Sequence, residues 1–202
     1  MAIQDNFQSP DYYLLDELLT DEHVLIRKTI RDFVKNQISP IIEEVCQSCI
    51  FPKQLLPKLG ELGCFGPFIP SKFGGSDLDQ ISYGLIMQEL ERGDSGIRST
   101  ASVQSSLVMF PIFKYGTEQQ KTKYLSRLAT GEIMGCFGLT EPNHGSNPAG
   151  MESRFIDKGD HFLLNGAKMW ISNSPFADIA IVWAKNDEGR IKGVIVERGM
   201  EG

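Results

Sequence analysis

No stretch of this sequence is apolar for long enough to cross a bilayer as a helix, which takes roughly 20 residues; the longest runs, such as residues 179–184, end far sooner. Positive charge is scarce as well. Lys plus Arg number 20 against 26 Asp plus Glu, a net charge of −6, so there is no basic field to hold a nucleic-acid backbone or to insert at an anionic membrane surface. An anionic ligand must therefore be held locally, by a few groups. The start, MAIQDNFQSPDYY, has neither the basic n-region and apolar h-region of a secretory leader nor the Arg-rich, acid-poor character of a mitochondrial presequence. A cytoplasmic location is expected; the mitochondrial matrix would require a presequence already removed. Cysteine is sparse, with Cys46 and Cys49 forming one C-x-x-C pair and Cys64 and Cys136 standing alone. A tetrahedral zinc site needs two more ligands at short spacing, so structural thiols and no metal are expected.

What is present is ordinary globular material, 41% hydrophobic and 23% charged over 202 residues, enough for one large domain or two small ones with a real core. From residue 14 to 130 the apolar residues recur at helical spacing. Val24, Ile26, Ile30, Phe33, Val34 and Ile38 lie on one helical face that closes before Ser39-Pro40. Pro52 can open a second helix without losing a needed N–H, and Gly60 and Gly63 mark its end. Residues 79–92 and 100–113 read as helices, and Thr117 caps EQQKTKYLSRLAT. After Gly131 the period becomes strand-like: 152–157 and 161–167 flank a Lys158-Gly159-Asp160 turn, and 179–184 and 191–197 flank Asp187-Glu188-Gly189. An antiparallel sheet is expected there. The domains are then 1–134, helical, and 135–202, β.

Two stretches carry candidate chemistry. In residues 135–150, GCFGLTEPNHGSNPAG, glycines permit close approach by a ligand, and loop N–H groups and hydroxyls suit a phosphate or the polar edge of a heterocycle. Turn chemistry explains Pro142, Asn143 and Gly145 equally well. In residues 165–174, NGAKMWISNS, a strand would place Trp170 and Ser172 on the same side, a flat ring beside a small donor; a tryptophan in a strand is more often core.

Taken together, CFGLTEPNHGSNP followed by LNGAKMWISNSPFAD closely resembles the paired flavin-binding segments of the acyl-CoA dehydrogenase family. The resemblance extends over FIPSKFGGSDLD, YGLIMQELER, IRSTASVQSSLVMFPIFKYGTEQQKTKYL and IKGVIVERGMEG, nearly the whole chain. GDSGIRSTASVQSSLV, with Arg98 and Ser99, is most similar to the glutaryl-CoA dehydrogenase branch. The resemblance implies an α+β fold: an amino-terminal all-α helical domain followed by a partial antiparallel β domain, without the carboxy-terminal helical bundle of the family. It implies FAD as cofactor, with Phe137, Gly138, Leu139 and Thr140 on one side of the isoalloxazine and Trp170, Ile171 and Ser172 forming a second wall. Ser172 stands where the family commonly has threonine. Gly145 and Ser146 match the turn that meets the FAD pyrophosphate and the pantetheine arm of CoA.

For substrate, the resemblance implies an acyl-CoA. It places Arg98 in the acyl pocket, where its planar fork suits a distal carboxylate, with Ser99 beside it and Glu91 positioning the guanidinium. A structural Arg98 paired to Glu91 or Asp94 is the plainer alternative. His144 and Asn147 depart from the small residue and aspartate usual in the family, and His144 is expected to be a solvated loop side chain. The family's catalytic base, a glutamate of the carboxy-terminal bundle, falls beyond Gly202; Glu141 belongs to the flavin loop. The resemblance further implies oxidative decarboxylation of glutaryl-CoA to crotonyl-CoA in the complete enzyme, an electron-transferring flavoprotein as partner and a homotetramer, while the present chain alone is expected to be inactive. The alternatives are a non-catalytic flavin or acyl-CoA binding protein, a dehydrogenase of monocarboxylic acyl chains, and a helical interaction module.

Overall fold

The computed structural model describes residues 11–201; residues 1–10 and Gly202 lie outside the described residues. Helices come first and a sheet follows. Helix α1 (Asp21–Phe33) starts at Thr20, whose side chain accepts the His23 N–H while His23 bonds back to the Thr20 N–H, satisfying two donors that a helix start otherwise leaves open. It runs into a π-helical turn, Val34–Ile38, and stops ahead of Pro40 as the sequence predicts. Of the predicted apolar face, Ile30, Val34 and Ile38 are buried, whereas Val24 is exposed.

Helices α2 (Ile42–Ser48) and α3 (Leu56–Glu61) follow. Cys46 and Cys49, expected to be structural, are both exposed at the end of α2, while Cys64 and Cys136 are buried. Asp79 caps α4 (Gln80–Gly93) through the Ser82 N–H. The next helix begins earlier than its apolar pattern suggested. Asp94 accepts the Ile97 N–H and starts α5 (Ser95–Ser102), which continues through a π-helical stretch, Val103–Met109, into α6 (Phe110–Tyr115). Pro111 explains the widening: it has no N–H to give to the ladder, and just before it the Phe110 N–H reaches back five residues to the Ser105 carbonyl. Helix α7 (Glu118–Ala129) has the Thr117 cap, closed by Gln120.

Among the described residues five strands follow: β1 (Gly135–Gly138), β2 (Arg154–Asp157), β3 (Phe162–Asn165), β4 (Ile179–Lys185) and β5 (Ile191–Glu197). The two hairpins, β2–β3 and β4–β5, are antiparallel as expected. The sheet as a whole is mixed: β1 pairs parallel to β4, from Gly135↔Ile179 to Gly138↔Val182, and β2 meets β4 in parallel at Arg154↔Lys185. The reason lies in connectivity. The roughly 40 residues between β1 and β4 contain the β2–β3 hairpin as an excursion, and a long connection permits parallel return where a tight turn does not. Ile179 and Ile181 of β4 join Val108, Met109, Leu125 and Leu128 in one apolar cluster with α1, α3 and α4, so helices and sheet share a core. Among the described residues no helix is long and apolar enough to cross a membrane.

Candidate functional site

Strand β1 leads into the first candidate segment. Its Gly135 lies where an added Cβ would come within 2.4 Å of Val108, so only glycine lets β1 press onto the π-helical stretch. Gln104, fully buried, fastens the same junction: its amide donates to the Leu128 and Ile133 carbonyls at 2.9 Å each and accepts the Gly135 N–H at 2.8 Å. Past Gly138 the chain turns back on itself through reciprocal backbone bonds between Glu141 and His144. Glu141 is buried. Its carboxylate accepts the Glu152 N–H at 2.6 Å, the Ser153 N–H at 3.0 Å and the Lys168 ammonium at 2.8 Å. Burial works to raise this carboxyl, but the Glu152 N–H, Lys168 and Ser153 outweigh it and hold it down at about 2.

The second segment is joined to the first by that same lysine. Lys168 also donates to the Leu139 carbonyl at 3.1 Å, and the Met169 N–H donates to the Thr140 carbonyl at 2.9 Å. The segments read from the sequence as a pair are thus in direct contact. Trp170, however, is not on a strand: it adopts a left-handed φ of 62° and is 85% exposed. A bulky residue in that region is a backbone outlier of the kind found at ligand sites. Its alternation with Ser172 therefore does not follow strand geometry, since residues 172–176 form turns. Asn173, also left-handed at φ 69°, anchors the turn by donating to the Gly135 carbonyl at 3.1 Å.

The remaining site residues fall as follows. Phe137 is half-buried and packs edge-on against Trp183 at 5.9 Å; Gly138 is buried, and Leu139, Thr140 and Ile171 are half-buried. Gly145, Ser146 and Ser172 are exposed, and a Cβ at Gly145 would meet nothing within 4 Å. Among the described residues the N–H groups of Gly145, Ser146 and Asn147 have no partner in the chain. Three successive open amides on an uncrowded loop fit a pyrophosphate, and the exposed Trp170 ring with Thr140 and Ser172 hydroxyls fits a planar heterocycle; on that test the residues suit FAD. His144 is more engaged than a solvated loop residue, with Nε2 3.2 Å from Glu152 Oε1.

Arg98 and Glu91 come together across the α4–α5 junction. Arg98 Nε donates to Glu91 Oε2 at 2.5 Å, Ser95 donates to the other oxygen at 2.5 Å, and Ser95 and Arg98 keep the Glu91 carboxyl below its ordinary value. Among the described residues the Arg98 side chain makes no other bond, which leaves its two terminal nitrogens open. Ser99 is half-buried on the same helix, nine residues before Val108. Cavities adjoin the sheet among the described residues. One of about 330 Å³ lies behind the Glu141–His144 turn, between Glu141, Arg154 and Asn165; a larger one, about 570 Å³, lies between α6 and β4–β5, lined by Ile112, Tyr115 and Trp183 and by none of the expected site residues. Sequence reading missed Lys168, Gln104 and Asn173. The lysine in GAKMW shows only a polar group among apolar ones, and the glutamine in SVQSS is one polar residue among serines; neither carries a more local signal.

Comparison with known proteins identifies the two halves of the chain. Residues 20–132 match the acyl-CoA dehydrogenase N-terminal domain and residues 136–202 the acyl-CoA dehydrogenase middle domain. An acyl-CoA dehydrogenase of Bacillus subtilis is 38% identical over 91% of this chain and 50% of its own length. The short-chain specific mitochondrial acyl-CoA dehydrogenase of Rattus norvegicus is 34% identical over 85% of this chain and 42% of its own. A glutaryl-CoA dehydrogenase of Mycobacterium smegmatis, solved in complex with FADH2, superimposes with a TM-score of 0.91 at 45% identity, over 94% of this chain and 49% of that one. The chain thus spans about half the length of the curated relatives it matches. With both domain models matched in order, and with the helices-then-sheet architecture shared, the chain belongs to the acyl-CoA dehydrogenase family.

Proposed function

We propose that the chain supplies the flavin cradle and the acyl-entry helix of an FAD-dependent glutaryl-CoA dehydrogenase. The open amides of Gly145, Ser146 and Asn147 would hold the FAD pyrophosphate; Thr140 and Ser172 would bond the polar edge of the flavin, and Trp170 would wall it. When bound, FAD supplies the hydride-accepting chemistry, and the oxidative decarboxylation of glutaryl-CoA to crotonyl-CoA belongs to the whole protein. Ser146 would meet the pantetheine arm and Ser99 the acyl group. Reoxidation by an electron-transferring flavoprotein, a homotetramer and a cytoplasmic location belong to the same reading.

The observation that carries the dicarboxylate assignment is Arg98, held through Nε by Glu91 with its terminal nitrogens open. With Nε taken by Glu91, the Nη1–Nη2 edge of the guanidinium remains for bidentate pairing with a carboxylate. The test is Arg98→Ala in the complete protein, assayed on glutaryl-CoA and on butyryl-CoA. Loss of a charge-assisted contact of about 1.5–3 kcal/mol corresponds to about 10- to 150-fold in kcat/KM, expected for glutaryl-CoA alone. Equal losses on both substrates would make Arg98 a structural partner of Glu91 and favour a monocarboxylic acyl-CoA.

A further inference from the structure

Resting on the FAD reading, we propose that Lys168 is a positioning residue for the flavin-facing edge: its ammonium sets where the Thr140 peptide stands relative to the Trp170 segment. The lysine side chain is only 11% exposed, and its stem crosses Gly138, where an added Cβ would lie 3.4 Å from Lys168 Cγ. Its Nζ bonds the carbonyl of Leu139 and the carboxylate of Glu141, the residues on either side of Thr140. The next peptide, through the Met169 N–H, bonds the Thr140 carbonyl itself. One cation thus fixes both neighbours of Thr140 from the segment that leads to Trp170.

The sheet does not need this cation. The β4–β5 and β1–β4 ladders run without it, and Glu141 keeps the Glu152 and Ser153 amides when it is removed. Loss of Lys168 would therefore be felt at the edge before it is felt in the fold. It would also expose Glu141 to protonation. The other charged groups near that carboxylate are His144 and Glu152, bonded to each other, and Arg154 across the small cavity; among these, only Lys168 pairs with Glu141 directly.

The experiment compares wild type, Lys168→Met, Lys168→Arg and Lys168→Met/Glu141→Gln in the full protein, with and without FAD. In the flavin-free protein, Met169 amide exchange should accelerate about tenfold or more in Lys168→Met, while the Val182 and Trp183 amides of β4 keep their wild-type rates. With FAD, Lys168→Met should shift the visible flavin band and weaken FAD binding about tenfold, the loss of about one hydrogen bond from the displaced Thr140 edge. Both effects, with exchange read as protection relative to the intrinsic rate at each pH, should vary with pH, because Glu141 deprived of its cation takes up a proton at a higher pH than before. The double variant should lose the pH dependence but keep the shifted band, since the Leu139 carbonyl still lacks its donor, and Lys168→Arg should restore most of the wild-type behaviour. An unchanged Met169 exchange rate, or a wild-type flavin band and flat pH profile in Lys168→Met, would overturn the proposal. If the wild-type protein took up no FAD, the functional reading would fail, and Met169 exchange would still decide the role of Lys168 in placing Thr140.

Discussion

Replacing Gln104 by methionine, which has a similar shape and no amide, should destabilise the protein more than any other single loss of a polar side chain from this junction. Gln104 is wholly buried and makes three bonds: to the carbonyl of Leu128 at the end of α7, to the carbonyl of Ile133 in the connection, and from the N–H of Gly135 at the start of β1. Each bond contributes about 0.5–1.5 kcal/mol net, and a buried group left without a partner costs about 1–3 kcal/mol. Leu128 keeps a second donor, the Gly131 N–H at 3.2 Å, so the full penalty falls on Ile133 and Gly135. The sum is about 2.5–7.5 kcal/mol, or about 5–30 °C in Tm for a chain of this size. Urea unfolding of wild type and Gln104→Met measures it directly. Ser106→Ala, which removes a single half-buried bond to the Ser102 carbonyl, is the control and should cost less than about 1 kcal/mol. A loss below about 1 kcal/mol in Gln104→Met would mean that the junction is held by apolar packing and that the three bonds add nothing net.

Three other outcomes are expected. Glu89 is fully buried and accepts from Arg31 at 2.7 and 2.9 Å and from Arg92 at 3.1 Å; Glu89→Ala should cost about 3–5 kcal/mol in thermal unfolding, and a near-neutral result would contradict a structural role for the carboxylate. Gly166 has φ 149°, and an added Cβ would fall 2.2 Å from Ser153 Oγ; Gly166→Ala should lose at least about 1–3 kcal/mol through backbone strain alone, with Ser153→Gly recovering part of the rest. The Glu141 carboxyl is lowered from 4.5 to about 2, so its contribution is present above pH 4.5 and is lost as pH falls through about 2. The Met169 amide resonance should hold steady from pH 7 to about 4 and move only below that, and a transition already complete at pH 4 would contradict the bonding seen at Glu141.

Local chemistry makes several elements legible in the sequence itself. Asp79 and Thr117 mark helix starts because a short oxygen-bearing side chain satisfies an N–H that a helix start leaves open, and the turns at Lys158-Gly159-Asp160 and Asp187-Glu188-Gly189 mark the two hairpins because glycine there adopts a positive φ. The pairing of the two candidate segments was legible only through resemblance to a family. Other features were out of reach because their partners are distant in sequence. The parallel return of β4 onto β1 leaves no periodic trace that differs from an antiparallel one, since side chains alternate with period two in both. The left-handed turn at Trp170 contradicts what an aromatic residue favours locally, and it stands because Asn173, Met169 and Lys168 are each bonded to β1 or the loop after it. Gln104 and Glu141 read as ordinary polar residues until the chain brings carbonyls and amides 11 to 31 positions away to within 3.0 Å of them. The caps at Asp79 and Thr117, the hairpin turns and composition depend on neighbours a few residues apart and were decided by the sequence alone; the register of the sheet, the buried bonds at Gln104 and the contact between the two candidate flavin segments depend on the folded chain and were decided by the tertiary structure.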